Sequence, residues 1–131
     1  MVGADTPFTY WFTVDHVHDG DTAMGRLDMG LAHYLGGLPT LQPAHDTTTY
    51  SIRLYGINAP ELNATDPEVR AAAQASRDNL AALLPAGAYI KIVSYHFDKY
   101  SMRIDAIPYA LDGTDCCQAQ LDGGFAVPYN P

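Results

Sequence analysis

The chain has 131 residues, 47% hydrophobic and 17% charged, a balance that excludes an intrinsically disordered polymer and suits one domain with a real core. Its formal net charge of −8 argues against a protein that coats nucleic acid through many lysines and arginines. No apolar run is long enough to span a membrane, and Met1 to Tyr10 has neither the basic start nor the apolar segment of a signal peptide, so a cytoplasmic setting is expected.

Phe8 to Val17 is rich in aromatic and β-branched residues and reads as a strand. His18-Asp19-Gly20-Asp21 reads as a hairpin turn. Thr22 to about Tyr34 reads as the returning strand, weakened by Gly25 and Gly30. Gly36 to Thr49 carries two glycines, two prolines and three consecutive threonines and reads as a loop. Tyr50 to Ile57 alternates as a third strand, with Gly56 allowing a bend and Pro60 ending the ladder because it has no N–H to donate.

Thr65-Asp66-Pro67-Glu68 reads as a helix start, with Thr65 as the cap and Glu68 completing a capping box. Val69, Ala72, Ala73, Ser76, Leu80, Leu83 and Leu84 then fall on one helical face, and Pro85 and Gly87 end the helix. Tyr89 to Phe97 and Arg103 to Leu111 alternate as two strands paired around Lys99 to Met102. Thr114 to Asp122 reads as a short helix stopped by Gly123-Gly124, and the apolar tail Phe125 to Tyr129 is expected to pack. Cys116 and Cys117 are adjacent, so no disulfide framework is visible, and both read as buried small apolar groups. Three strands, a helix, two strands and a helix predict an α+β protein: a single five-stranded OB-fold barrel domain over 1–131, order β-β-β-α-β-β-α.

Three stretches carry chemistry. They are Asp19-Gly20-Asp21-Thr22, the run Arg53-Leu54-Tyr55-Gly56-Ile57-Asn58-Ala59-Pro60-Glu61, and Asp98-Lys99-Tyr100 followed by Arg103. Together they offer carboxylates, a side-chain amide and two guanidiniums, which suit a hard cation and a phosphodiester. In this order, with a helix between the last two, they resemble the staphylococcal (thermonuclease) nuclease family. The resemblance covers the chain from about Thr13 to Tyr129. The Arg-Leu-x-Gly-Ile-Asn-Ala-Pro-Glu run is quite specific, whereas Asp-Gly-Asp-Thr alone also reads as a plain hairpin turn.

The resemblance implies an OB-fold nuclease that cleaves DNA and RNA with calcium and leaves 3′-phosphate ends. It implies Asp21, Asn58 and the backbone carbonyl of Ala59 as calcium ligands, with Glu61 handling the attacking water. It implies that Arg53 and Arg103 stabilise charge at phosphorus, that Lys99 and Tyr100 bind a terminal phosphate, and that Tyr129 stacks on a base. Tyr129 also reads as a packed C-terminal anchor.

Two departures matter. Asn58 stands where a well-known member has a second aspartate, which implies weaker calcium binding. The family usually reads Asp-Lys-Tyr-Gly-Arg, but here Ser101 and Met102 replace the glycine and add a residue before Arg103. Expected partners are single-stranded or frayed DNA and RNA, with no organic cofactor and no membrane. A nuclease-like barrel that has lost catalysis and serves as a binding or assembly module is the alternative, since fold does not fix function. His16 and His18 alternate on a strand as a zinc pair would, but a third histidine is missing.

Overall fold

The computed structural model describes residues 8–28, 49–98 and 100–129. The strands are β1 (Phe8–Asp19), β2 (Thr22–Asp28), β3 (Tyr50–Leu54), β4 (Ile57–Asn58), β5 (Tyr89–Asp98), β6 (Arg103–Tyr109) and β7 (Val127–Pro128). The helices are α1 (Pro67–Leu83) and α2 (Cys116–Asp122). Five strands close into a mixed barrel in the order β1-β2-β3-β6-β5, and β4 and β7 form a separate two-stranded sheet. Helices accompany this closed barrel, an OB-like arrangement.

Closure depends on β1. Its 12 residues serve two neighbours: Phe8 to Thr13 pair with β5 and Trp11 to Asp19 with β2. Register shifts between Val14 and His16 and between Val17 and Asp19 bend the strand as it passes from one partner to the other. The β3–β6 pair is parallel and the other barrel ladders are antiparallel. Alternation sends Phe12, Val14, Ile52, Leu54, Ile90, Ile92, Ile104 and Ala106 inward, all at most 3% exposed. Each large side chain among them contributes about 1.5–3 kcal/mol of burial. Gly25, which weakens β2 on paper, is needed there: a Cβ would lie 2.1 Å from the Thr13 carbonyl oxygen and 2.5 Å from the Phe12 ring.

Several sequence expectations are corrected. The third strand stops at Leu54; Tyr55-Gly56 turn the chain, and Ile57-Asn58 leave the barrel to pair with β7. Asp66, not Thr65, caps α1, its Oδ1 accepting the Glu68 N–H at 2.9 Å. Pro67 explains this, because the residue before proline is pushed out of the helical region and becomes the N-cap. Asp66 accordingly has extended φ −73° and ψ 120°. The buried stripe of the helix is narrower than its pattern: Ala73, Ser76 and Leu80, continued by Leu84, are buried, while Val69 and Ala72 in the first turns are exposed. Within the described residues β2 runs to Asp28; Gly30 to Tyr34 and nearly all of the Gly36–Thr49 loop lie outside them.

Both cysteines are free and buried at the start of α2, and burial pushes each thiol up to about 12. They are packing groups, as their sequence implies. The same helix carries Gln120, 0% exposed. Its amide nitrogen donates to the Gly20 carbonyl at 2.8 Å, the Ser76 carbonyl at 3.0 Å and Ser76 Oγ at 3.1 Å. Its oxygen accepts from Asn79 Nδ2 at 2.6 Å. One amide therefore ties the β1–β2 turn to both helices. The turn fits because residue 20 has no side chain, since a Cβ there would lie 1.8 Å from Ser76 Oγ.

Gln120→Leu would keep the volume and strand these partners without water. Unfolding stability should fall by about 2–3 kcal/mol, the cost of leaving buried polar groups unsatisfied. Urea denaturation of the two proteins checks this, and an unchanged midpoint would show that the amide is not a strut.

Candidate functional site

The site begins with a buried carboxylate. Asp21 is 7% exposed, and Thr22 donates its hydroxyl to Oδ1 at 3.1 Å. The other oxygen, Oδ2, accepts the Ala59 N–H at 2.8 Å and lies 2.9 Å from Arg53 Nη1. The turn that presents Asp21 is closed by its own N–H on Asp19 Oδ1, and its carbonyl accepts the Leu54 N–H at the end of β3. The β1–β2 turn is thereby fastened to the β3 exit by backbone and side chain together.

Arg53 is the second anchor. It projects from β3 on the face opposite Ile52 and Leu54. Besides Asp21 it reaches the Ile57 carbonyl through Nη1 at 3.2 Å and Asn58 Oδ1 through Nη2 at 2.8 Å. The planar fork thus holds three acceptors from two segments, which a lysine could not do with the same geometry. Asp21, Arg53, Asn58 and Ala59, named from separate stretches of sequence, form one hydrogen-bonded unit.

Beside that unit lies a cleft of about 350 Å³ lined by Arg53, Tyr55, Asn58, Arg103, Asp105 and Tyr129, among others. Tyr129 reaches it because β7 pairs with β4 and the Tyr129 N–H donates to the Gly56 carbonyl at 2.8 Å. The backbone of this tyrosine is therefore anchored, and the residue borders the cleft. Tyr55 stacks on Tyr95 at the same edge, ring centroids 4.4 Å apart.

The remaining expected residues are spread further. Glu61 is exposed, in the turn after β4, and is not part of the cleft wall. Tyr100 is 89% exposed at the β5–β6 hairpin, where its N–H donates to Asp98 Oδ1 at 3.0 Å. Lys99 lies outside the described residues. The hairpin accommodates Ser101 and Met102 by placing Met102 at φ 54°, a conformation non-glycine residues adopt uncommonly. Arg103 still reaches the cleft. Its Nε lies 3.2 Å from Asp105 Oδ1, and Asp105 Oδ2 lies 3.4 Å from His96 Nδ1.

Asp105 was not anticipated from sequence, although a residue two positions after Arg103 on a strand must share its face. Gln120 was missed too; its signal is an amide amid the buried side of a short helix.

Electrostatics mark Asp21 as the unusual group. Desolvation by burial raises its pKa above the ordinary 3.8, helped by Asp19, and outweighs the lowering by the Ala59 N–H and Arg53. Arg53 alone therefore does not compensate the buried charge, and an added cation would stabilise it. Asp21 and Asn58 each present an oxygen to Arg53, and carboxylate and amide oxygens are of the kind calcium accepts. Among the described residues no group of three or more His, Cys, Asp or Glu could hold a metal by itself, and His16 and His18 are both exposed on β1. No protein-family model matches this chain, and no curated protein matches it.

The direction of the Asp21 shift fixes a stability prediction. A carboxyl whose folded pKa is raised destabilises the fold above that pKa and ceases to do so below its unfolded value near 3.8. Asp21→Asn keeps the acceptor for Ala59 and removes the charge. Its melting temperature should match or exceed that of the parent at neutral pH, and the difference should shrink as pH falls through the carboxylate range. Thermal melts across pH measure it; a large loss at neutral pH would mean the Arg53 ion pair outweighs desolvation.

Proposed function

We propose that this protein is a calcium-dependent phosphodiesterase of the thermonuclease type, built on an OB-fold barrel and acting on single-stranded or frayed DNA and on RNA with little sequence preference. The observation that carries this reading is the Asp21–Arg53–Asn58–Ala59 unit. Its members come from the sequence stretches that resemble the nuclease family, and they meet beside a cleft that also holds Arg103 and Tyr129.

Asp21, Asn58 and the Ala59 carbonyl would hold calcium, which would supply Lewis-acid polarisation of a phosphoryl oxygen. The protein's own groups supply the rest. Glu61 orients a water and takes its proton as the oxygen attacks phosphorus. The P–O5′ bond breaks, leaving a 3′-phosphate, and the departing 5′-oxygen gains a proton. Arg53 and Arg103 face the extra charge on the phosphorus-centred transition state with fixed donors. Tyr129 offers its ring to a neighbouring base, a contact tolerant of sequence, and Lys99 and Tyr100 would hold a terminal phosphate.

A second reading, a barrel that binds without cutting, is favoured by one fact. Asn58 and both cleft arginines already contact protein groups. Incubation with labelled single-stranded DNA, in calcium or in chelator, separates the two. Cleavage to 3′-phosphate ends is expected only in calcium. Glu61→Gln should cut single-turnover rates by roughly 10²- to 10⁴-fold, the usual size of a lost general base. Asn58→Asp should tighten calcium binding, because it adds a formal charge to a set with one fewer carboxylate. If the parent does not cleave and Asn58→Asp restores nothing, the binding module is the correct reading.

A further inference from the structure

Arg103 and Asp105 alternate onto the same outer face of β6, and both line the cleft. Across the parallel β3–β6 ladder, Asp105 is the register partner of Arg53; across the antiparallel β5–β6 ladder, it is the partner of His96. A carboxylate thus stands on the wall between the two guanidiniums that would receive a phosphate. Each guanidinium is matched by an acid: Arg53 by Asp21 at 2.9 Å and Arg103 by Asp105 at 3.2 Å. Asp98, opposite Arg103 in register, adds further negative charge near it. The cleft therefore contains cations but little net positive field.

The local geometry makes the acid a poor ligand group. Asp105 Oδ1 is buried and, although Arg103 is near, has no hydrogen-bond partner of adequate geometry. Its other oxygen faces His96, 3.4 Å away. A ligand does not reach Oδ1, so Asp105 acts on the cleft through its charge and through its hold on Arg103.

We propose that Asp105 is a built-in competitor for the phosphodiester: it occupies Arg103, cancels that cation's field in the cleft and so sets the affinity for single-stranded nucleic acid. This rests on the nuclease reading of the cleft. The groups facing Asp105 are His96 on β5, Arg103 on its own strand and Arg53 on β3, with Asp98 on β5 opposite Arg103. A purely orienting role for Asp105 makes the opposite prediction, that its loss weakens binding.

The test measures binding of a rhodamine-labelled thymidine hexamer, in calcium, with all proteins carrying Glu61→Gln so that turnover is slow. Asp105→Asn should bind roughly five- to tenfold more tightly, the effect of removing one unit charge several ångströms away at a half-exposed site. Asp105→Ser removes the same charge and should tighten binding in the same direction. Thermal melts verify that each protein is folded; if Asp105→Asn does not fold, Asp105→Ser decides by itself. Equal or weaker binding by a folded Asp105→Asn overturns the proposal and leaves the cleft reading standing. Equal or weaker binding by a folded Asp105→Ser does the same. If no protein binds the hexamer, the phosphodiester reading falls together with the proposal.

Discussion

The buried carboxylate of Asp21 is the constraint on which the rest of this end of the barrel depends. Removing a charge from water is costly unless partners replace the lost hydration. Here the partners are the Ala59 N–H, Arg53 and Thr22, and they come from three directions. Each is useful only if its backbone is held still. Arg53 is held by β3, flanked by Ile52 and Leu54 in the parallel ladder with β6. Ala59 is held because β4 is pinned by β7 and by the Tyr129 N–H on Gly56. The β1–β2 turn is held by Gln120, whose amide reaches Gly20 from a helix a hundred residues further along. The placement of one oxygen pair thus draws on both ends of the chain.

This arrangement separates what a local pattern can specify from what only the folded chain can. The strands were legible because alternation between core and solvent is a property of neighbouring residues: Phe12 and Val14, Ile52 and Leu54, and Ile90 and Ile92 all face inward as their spacing demands. The Arg53 to Glu61 run was legible as a strand exit rich in oxygen and cationic groups, and the structure joins its Arg53, Asn58 and Ala59 to Asp21. The cap of α1 was misplaced by one residue because Thr65 and Asp66 can both accept a bond, and the decision belongs to the backbone restriction imposed by Pro67. The break at Tyr55-Gly56 was missed because hydrophobic alternation continues to Ile57 while hydrogen bonding changes partner from the barrel to β7. Asp105 and Gln120 carry no local signature of their roles, since their partners lie on other strands and helices. Lys99 and almost all of the Gly36–Thr49 segment fall outside the described residues.

Charge is the other theme of the molecule. A chain with a net charge of −8 repels a polyanion at long range, so attraction must be confined to distances shorter than the screening length. Arg53 and Arg103 supply donors at that range, but each is close to an acid. Pairing each guanidinium with an acid lowers the repulsion between the two arginines on adjacent strands, although at Asp21 desolvation outweighs the pairing. The same compensation weakens the field offered to a ligand. On the proposed reading, affinity would draw on contacts that do not depend on net charge, for which Tyr55 and Tyr129 line the cleft.

Arg53 brings these demands into one side chain. Its guanidinium holds Asp21 and Asn58, the side chains proposed to face the cation, and it lines the cleft proposed to take the phosphate. The Ile57 carbonyl fixes the fork relative to the turn. A positive ion near Asp21 would repel Arg53 and weaken its hold on that carboxylate, while a phosphate oxygen in the cleft would offer the fork a new acceptor. On the proposed reading the two events would favour each other, since each would remove part of the electrostatic cost of the other, and their binding free energies would be coupled reciprocally. Neither requires the barrel to move. On that reading a shift of one planar group between acceptors would couple the two, while the ladders on both sides of β3 hold the Arg53 backbone in place.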